Sequence, residues 1–404
     1  MKYGLLGRKL AHSYSPAIHQ QFGNFDYGLF EVEPNDLETF LQRENYQALN
    51  VTIPYKKAVI PYLDELTEVA QTVGAVNTIY RKDGKLVGHN TDYFGFQQMI
   101  HRSGMSPNGK KCLVLGSGGA SDVVKNVLTN MGAQVIIISR HGENNYHNLA
   151  LYQDTSIIVN ATPVGMFPHC GESLINMQQF HNLEGVLDLI YNPARTKLLL
   201  EAESCGIRTE NGLWMLVNQA REAAQIMMST TISDQQAESV YHKIQQQTEN
   251  IVLIGMPGCG KSTVGKELAQ RSKKTFVDVD TCIEQKAEKS IPQIFAEDGE
   301  EAFRALETQV LQEIGKQSGL VIATGGGCVT KPHNYHLLHQ NGTIFWLQRE
   351  LDKLPNEGRP LSQAISTQEM YARRSPLYEA FADAVIDNNS SVTTTVNAIL
   401  EKFT

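Results

Sequence analysis

The sequence predicts an α/β protein built on doubly wound parallel sheets, and three observations lead there. Short β-branched runs (Ile136-Ile137-Ile138, Ile157-Ile158-Val159, Ile251-Val252-Leu253-Ile254, Val321-Ile322) alternate with longer amphipathic stretches. That is the pattern of strands buried on both faces between helices. Two strands, one from Cys112 to Leu115 and one from Ile251 to Ile254, run into a glycine-rich turn and then a helical period, the signature of a phosphate-cradling βα unit. The third is length. At about 150 residues per domain, 404 residues make two or three.

Composition narrows the class. Hydrophobic residues at 41% and charged residues at 19% supply real cores and exclude a disordered chain. Lys+Arg 35 against Asp+Glu 43 gives a formal charge of -8, which argues against a nucleic-acid footprint. No apolar run approaches the roughly 18 residues of a membrane span, and Met-Lys-Tyr-Gly-Leu-Leu-Gly lacks the apolar core of a signal peptide. The 6 cysteines form no Cys-x-x-Cys pair, so neither a disulfide framework nor a zinc site is indicated. The expectation is a cytoplasmic protein acting on small molecules, with no nucleic-acid or membrane partner. Oligomeric state is not written in the sequence.

Taken in order, the chain opens with four polar clusters at strand ends or turns. They are His12-Ser13-Tyr14-Ser15-Pro16, Asn50-Val51-Thr52-Ile53-Pro54-Tyr55-Lys56, Gly74-Ala75-Val76-Asn77-Thr78 and Gly88-His89-Asn90-Thr91-Asp92. Each alone reads as a turn or cap; Asp92 stands where it would cap a helix over residues 93–99. Together they offer hydroxyls, amides, one lysine and one aspartate, the groups needed to grip a small polyhydroxy acid and move one proton. The turn Ser106-Pro107-Asn108-Gly109 precedes the strand at Cys112, which enters Gly116-Ser117-Gly118-Gly119-Ala120-Ser121. Val123, Val124 and Val127 then follow at helical spacing, so backbone amides and a helix N-terminus can approach a pyrophosphate. The next strand ends at Ser139-Arg140, where NAD-binding units usually carry an acid; an arginine suits the 2′-phosphate of NADP. A fifth cluster, from Asn211 and Gly212 to Gln219, follows.

These motifs, over residues 1 to about 228, resemble the shikimate dehydrogenase family in order and approximate spacing. The resemblance implies two lobes: a substrate-binding lobe over 1–105, rejoined by the chain at 213–228, and a Rossmann-like NADP-binding lobe over 106–212. It also implies reduction of 3-dehydroshikimate to shikimate with NADPH. By the same resemblance, Ser13 and Ser15 hold the substrate carboxylate, and Thr52, Asn77 and Gln219 bind its hydroxyls. Lys56 and Asp92 form the catalytic pair, with Asp92 also touching substrate. Gly116, Ser117, Gly118, Gly119, Ala120, Ser139, Arg140 and Gly212 face the cofactor. Two departures stand out: Ser139-Arg140-His141 replaces the family's Asn-Arg-Thr, and Trp214 stands where glycine is common, implying a reshaped nicotinamide wall.

Residues 229–249 read as a linker helix and joint: Ser229 to Asp234 is a turn cluster with N-cap candidates, and Gln245 to Asn250 lacks an apolar period. Beyond it, Gly255-Met256-Pro257-Gly258-Cys259-Gly260-Lys261-Ser262-Thr263 fits G-x-x-x-x-G-K-[ST] in full. The backbone of such a loop wraps nucleotide phosphates, Lys261 reaches the β/γ oxygens and Ser262 ligates Mg²⁺. The stretch from Phe276 to Asp280 alternates as a strand carrying Asp278 and Asp280 on one face. Arg304 and Glu307 share a helix face at i,i+3. Thr324-Gly325-Gly326-Gly327 ends a strand, and Gly358-Arg359-Pro360-Leu361 and Arg373-Arg374-Ser375-Pro376-Leu377-Tyr378 add arginines for anions.

This second set, over residues 250–404, resembles shikimate kinase: a P-loop domain with a parallel sheet and a lid. The resemblance implies ATP-dependent phosphorylation of shikimate to shikimate 3-phosphate. Asp280 activates the hydroxyl and touches substrate, and Asp278 supports Mg²⁺ beside Ser262. Arg304 and Arg374 clamp the carboxylate, Gly326 touches the substrate from the backbone, and Arg359 comes from the lid. Gly258, Cys259, Gly260, Lys261, Ser262 and Thr263 hold ATP. Near Asp387-Asn388-Asn389-Ser390 an adenine-side arginine of some relatives is missing, and the lid is short. The two halves thus imply consecutive reactions in one bifunctional chain. The alternative is a quinate/shikimate dehydrogenase fused to a kinase-like module that binds ATP or shikimate and regulates its partner, or that acts on another small polyol.

Overall fold

Hydrophobic runs at the centre of each sheet fix the architecture of the chain, which we describe from a computed structural model covering residues 2–10, 14–23, 26–43, 45–354 and 366–403. Two of the expected site residues, Ser13 and Arg359, lie outside those residues. The first sheet is formed by β1 (Tyr3–Gly7), β2 (Tyr27–Glu31), β3 (Ala48–Val51), β4 (Glu65–Leu66), β5 (Thr78–Lys82) and β6 (Lys85–His89), in the order β2-β1-β3-β5-β6-β4. It is mixed rather than purely parallel, because β5 pairs antiparallel with both β3 and β6. The reason is local. Asp83 and Gly84 both adopt positive φ (50° and 79°), as a two-residue hairpin turn requires, and such a turn leaves no room for a crossover helix. Leu6, Leu49, Val51 and Ile79 from this sheet are buried together with Tyr46 and Tyr55. The helices in this stretch of chain are α1 (Ser15–Phe22), α2 (Leu37–Leu41), α3 (Glu68–Val73) and α4 (Thr91–Ser103), of which α4 buries Phe96, Met99 and Ile100 with Val114 and Val159.

The second sheet contains β7 (Lys111–Leu115), β8 (Gln134–Ile138), β9 (Ile157–Asn160), β10 (Gly185–Asp188) and β11 (Arg208–Asn211). All its pairs are parallel, in the order β11-β10-β9-β7-β8. Strand order reverses at β7, and ligands of open α/β sheets bind beyond the strand ends at such a point. The helices here are α5 (Gly119–Asn130) and α6 (Lys197–Ser204), and the chain then returns through α7 (Leu213–Met228) to pack on α4. Gly95 permits the close crossing, since a Cβ there would stand 2.6 Å from the Met215 carbonyl.

The segment read as a joint forms α8 (Asp234–Thr248). Its N-terminus is a capping box: Gln236 N–H donates to Ser233 Oγ (3.2 Å) and Ser233 N–H to Gln236 Oε1 (3.0 Å). Ala237, Val240, Tyr241 and Ile244 make an apolar helix face packed with Val217 and Trp214. Trp214 therefore belongs to helix packing rather than to a cofactor wall. It is buried, meets Tyr241 edge-on, and carries the Arg102 guanidinium 4.5 Å from its ring.

The third sheet is formed by β12 (Asn250–Ile254), β13 (Thr275–Asp278), β14 (Leu320–Ala323), β15 (Gly342–Gln348) and β16 (Ala384–Asp387), all parallel, in the order β13-β14-β12-β15-β16. Around it lie α9 (Lys261–Ser272), α10 (Val279–Ala287), α11 (Ile291–Glu297), α12 (Gly299–Ile314), α13 (His333–His339), α14 (Thr367–Phe381) and α15 (Val392–Lys402). The strand expected over residues 276–280 stops at Asp278. Asp278 is a helix N-cap, its Oδ1 accepting from the amides of Asp280 (3.1 Å) and Thr281 (3.5 Å). Asp280 thus sits in the first turn of α10, placed by a cap and not by strand alternation.

The chain divides into two compact units. One comprises Met1–Met166, Gly171–Tyr191 and Leu198–Ile244; the other Phe167–Cys170, Asn192–Lys197 and Gln245–Thr404. Among the described residues no helix is long and apolar enough to cross a membrane.

Candidate active sites

In the first unit, the loop after β3 is pinned at both ends: Thr52 N–H donates to Leu6 O (2.9 Å) and Val76 N–H to Lys56 O (2.8 Å). Asn90, not Asp92, caps α4, since its Oδ1 accepts the Asp92 amide (3.1 Å) while its Nδ2 donates to Ala75 O (2.9 Å). Asp92 lies instead in the first helical turn, where the macrodipole favours a carboxylate. These two devices bring Lys56 Nζ to 2.6 Å from Asp92 Oδ2, with the side chains 33% and 17% exposed. The pair is partly desolvated yet reachable from the surface, as a proton donor acting on a bound ligand must be.

A buried polar network stands behind it. Asn77 Oδ1 accepts the Thr91 amide (2.7 Å) and the Thr78 hydroxyl (3.2 Å), and its Nδ2 donates to Thr91 Oγ1 (3.0 Å). Asn50 Nδ2 donates to Thr78 Oγ1 (3.1 Å), and the Tyr27 hydroxyl donates to Asn50 Oδ1 (2.8 Å). Ser15 bonds Tyr27 in turn, and burial pushes the Tyr27 phenol far up. His19 stacks on Tyr27 at 4.2 Å and is held neutral, burial pulling it down to about 3 against the bond to Asn50. The structure thus joins Ser15 and Asn77 through one chain of hydrogen bonds, and Asn77 to the helix turn that carries Asp92. Gln219 lies against Gly95, on the same face of α4 as Asp92, with its amide turned back to Leu216 O (2.8 Å).

The turn after β7 fits a pyrophosphate. Gly116 has φ 105°, and a Cβ added at Gly118 or Gly119 would meet nothing within 4 Å, so the space beside the start of α5 is open to a ligand. Ser117 and Ala120 are exposed beside them, while Ser121 is buried and donates to Gly118 O (2.6 Å). Ser139 Oγ donates to His141 O (3.1 Å). Arg140 is exposed, and no hydrogen bond or ion pair among the described residues holds its guanidinium. Gly212 lets α7 start against β10, for a Cβ there would lie 2.0 Å from Leu189 O.

In the second unit a cleft of about 530 Å³ is lined by the loop after β12, Asp278, Asp280, Arg304, Glu307, Gly325 to Gly327 and Arg374. Gly258 and Gly260 hold φ 82° and 100°, conformations that turn successive amides to one side. Cys259 is buried between them, and Ser262 and Thr263 are exposed at the start of α9. Lys261 Nζ is folded onto the loop, donating to Gly255 O (2.8 Å) and Met256 O (3.0 Å). Ser262 Oγ donates to Asp278 Oδ2 at 2.6 Å, a hydroxyl–carboxylate set of the hard-oxygen kind that suits Mg²⁺.

The glycine run forms the floor of the cleft, and functional groups occupy the space side chains would take. A Cβ at Gly325 would fall 2.7 Å from Glu307 Oε1 and 2.9 Å from Asp280 Oδ1; at Gly326, 2.6 Å from Pro257; at Gly327, 2.1 Å from Arg304 Nη2. Arg304 Nη1 donates to Glu307 Oε2 at 2.7 Å, and both side chains are nearly inaccessible. Burial drives the Glu307 carboxyl upward against the pull of Arg304. Arg374 Nη1 (3.3 Å) and the Tyr378 hydroxyl (2.5 Å) both donate to Gly326 O. Two guanidinium groups, three carboxylates and a phosphate loop therefore line one cavity.

Sequence comparison gives the relatives of both units. Residues 5–79 match the model of the shikimate dehydrogenase substrate binding domain. The NADP(+)-type shikimate dehydrogenase of Clostridium perfringens is 34% identical over 265 residues, 60% of this chain and 98% of that protein. The chain belongs to the shikimate dehydrogenase family. Residues 257–404 match the shikimate kinase model, so the second unit is a shikimate kinase domain and the polypeptide is a bifunctional shikimate-pathway enzyme. Among solved structures, the chorismate mutase/shikimate 5-dehydrogenase fusion protein of Clostridium acetobutylicum is 34% identical with a TM-score of 0.58, over 60% of this chain and 97% of that one. The shikimate 5-dehydrogenase of Thermus thermophilus in complex with NADP(H) and shikimate is 28% identical with a TM-score of 0.54, over 60% and 98%.

Sequence reading missed the residues that support these two candidate sites. Asn50, Thr78, Asn90 and Thr91 stood inside recognised clusters without a role, and Tyr27 in none. In the kinase unit Tyr378 and Asn388 went unassigned, although each directly holds a carbonyl of a loop lining the cleft. Polar residues at or just beyond a strand end, as Asn50, Thr78, Asn90 and Asn388 are, give the signal that marks several of them.

Proposed function

We propose that the dehydrogenase unit reduces 3-dehydroshikimate to shikimate and that the kinase unit, residues 250–404, phosphorylates that shikimate to shikimate 3-phosphate. NADPH supplies the hydride, and ATP with Mg²⁺ the phosphoryl group. All other tasks fall to side chains of this chain. Lys56, held by Asp92, donates a proton to the carbonyl oxygen as negative charge develops there. Ser13 and Ser15 take the substrate carboxylate, and Thr52, Asn77 and Gln219 its hydroxyls. The Gly116–Ala120 turn, Ser139 and Gly212 border the cofactor, and the free guanidinium of Arg140 pairs with the 2′-phosphate.

In the kinase unit Asp280 accepts the proton of the attacking hydroxyl, while Arg304 and Arg374 bind the carboxylate with guanidinium forks. Ser262 and Asp278 hold Mg²⁺, Lys261 and the loop amides the phosphates, and Arg359 adds charge from the lid. We place the enzyme in the cytoplasm, a reading supported by six cysteines that are all unpaired. One observation carries the pairing of activities. A proton-donating pair (Lys56–Asp92, 2.6 Å) and an arginine-lined P-loop cleft, built for a hydroxy acid, occur in one polypeptide.

The test supplies the purified chain with 3-dehydroshikimate, NADPH, ATP and Mg²⁺ and follows NADPH loss and phosphate-ester formation together. Matched rates are expected. NADPH loss with shikimate accumulating and no ADP release would sink the kinase half of the reading.

A further inference from the structure

Arg349 immediately follows β15, at the carboxyl end of the kinase sheet, where parallel α/β sheets bind their ligands. Its neighbour strand is β12, the strand that feeds the phosphate loop, with Ile254 in register with Trp346. The loop leaves β12 packed on β15, since a Cβ at Gly255 would lie 2.6 Å from Leu347 O. At the other end of the loop, the Cβ position of Gly260 is 3.2 Å from Asn388 Nδ2 and 3.7 Å from Arg349 Nη1. An amide and a guanidinium thus flank the residue just before Lys261.

The two flanking groups differ in one respect. Asn388 is fully engaged: its Nδ2 donates to Cys259 O (2.5 Å), its Oδ1 accepts from Thr395 Oγ1 (2.7 Å), and its N–H donates to Gln348 O (2.8 Å). The nearby carboxylates are engaged too. Glu350 pairs with Lys353 (2.8 Å), and Asp387 accepts from the Asn389 backbone N–H (3.0 Å) and side-chain amide (2.6 Å). Arg349 makes no hydrogen bond or ion pair among the described residues, and its Nε is buried without a partner. A buried donor left unmatched is costly, more so when charged, unless a ligand supplies the acceptor. Five N–H donors beside an anion-binding loop call for an anion.

We infer that Arg349 is a nucleotide-binding residue of the kinase unit, its guanidinium taking the adenosine side of ATP. It meets the loop beside Asn388, at the Gly260 end, whereas Lys261 Nζ is folded back onto Gly255 O and Met256 O. The inference rests on the reading of this unit as an ATP-dependent kinase.

The test uses the full chain with Arg349→Met and Arg349→Lys. It reads ADP binding by calorimetry, KM for ATP, KM for shikimate, and NADPH-linked turnover. Arg349→Met is expected to weaken ADP binding and raise KM for ATP about tenfold, the equivalent of 1.4 kcal/mol. KM for shikimate and NADPH-linked turnover should stay unchanged, and Arg349→Lys should recover part of the loss. ADP binding within twofold of wild type in Arg349→Met would overturn the inference while leaving the kinase reading intact. So would equal losses for ATP and shikimate with a lowered melting temperature, which mark a purely structural residue. A wild-type chain that binds no ADP would overturn the kinase reading and this inference with it.

Discussion

Lys56 and Asp92 are 36 residues apart in the chain and 2.6 Å apart in space. Neither is placed by regular secondary structure alone. The lysine rides on a loop whose carbonyl at Lys56 is tied to the Val76 amide, and the aspartate is aimed by the Asn90 cap one residue before α4 begins. Because Asn90 also grips Ala75 O, and Val76 grips Lys56 O, both partners hang from the same short segment, residues 75–76. That segment leads into Asn77, which fixes Thr91. The pair is therefore preorganised by backbone ties, and substrate need not assemble it.

It follows that Lys56→Ala should lower kcat for NADPH-linked reduction by roughly 10²–10⁴, the ordinary worth of a general acid. Asp92→Asn should fall in the same range. The double variant should lose little more than the worse single one, since the residues act as a unit. Shikimate phosphorylation by the same preparations should be unchanged. Turnover without ATP, followed by NADPH absorbance, checks this; wild-type rates in Lys56→Ala would remove the lysine from the chemistry.

The buried pair in the kinase cleft makes a prediction with a pH signature. Arg304 is 4% exposed and Glu307 not at all, so Arg304→Met strands a carboxyl without its counter-charge. Breaking such a pair costs about 3–5 kcal/mol when the remaining group stays charged. Glu307 is already pushed upward by burial, and losing Arg304 pushes it further, so the carboxyl will bind a proton in the folded variant before it does in the unfolded chain. Stability from a raised acid is present at low pH and lost as pH rises. The variant's deficit in the kinase thermal transition should therefore be small at mildly acidic pH and widen as the solution becomes alkaline. A deficit independent of pH would show that Glu307 does not titrate there.

What could be read in the sequence and what could not divide along physical lines. The two phosphate turns were legible because unusual backbone geometry is written in glycine, as at Gly116 and Gly260. Burial of the strands was legible in runs such as Ile251 to Ile254. Caps are ambiguous in a sequence wherever two competent residues stand close together. Asn90 and Asp92 compete for one helix start, and Asp278 reads equally as a strand residue or a cap until the Asp280 and Thr281 amides are seen to point at it. In the joint, Gln245 to Asn250 carries no apolar period, whereas the apolar face of α8, from Ala237 to Ile244, lies just before it. Arg349 was beyond sequence reading, since its position beside Gly260 depends on the register of β15 against β12, strands far apart in the chain.

Glu210 should make the dehydrogenase unit less stable as the solution becomes alkaline. Burial raises its carboxyl to about 7, with Arg102 opposing the rise and nearby Glu238 adding to it. Arg102 is 3.9 Å away but gives its closer contact, 2.8 Å, to Glu238, which in turn meets His242 at 3.2 Å. A carboxyl raised in the folded state contributes stability fully below its unfolded value, about 4.3, and loses it as pH climbs through about 7. Glu210→Gln keeps the shape and removes the titration. Its melting temperature for the dehydrogenase transition should match wild type in mild acid and exceed it in mild alkali. Parallel curves across that range would show that Glu210 ionises normally.

Asp278 performs two tasks with two oxygens, and one substitution separates them. Oδ1 caps α10 through the Asp280 and Thr281 amides, while Oδ2 accepts from Ser262 Oγ at 2.6 Å. Asn can keep an acceptor at the cap but carries no charge toward a cation. Asp278→Asn should therefore raise the Mg²⁺ concentration needed for half-maximal phosphorylation about tenfold, equivalent to 1.4 kcal/mol, with the kinase thermal transition nearly unmoved. Asp278→Ala loses the cap as well, and that transition should drop by the equivalent of about 1 kcal/mol. A chelator should stop ADP release in all three proteins and leave NADPH oxidation running, because Ser262 and Asp278 belong to the kinase unit alone. If Asp278→Asn shows the wild-type Mg²⁺ dependence, the carboxylate is a cap only, and the metal rests on Ser262 and the nucleotide.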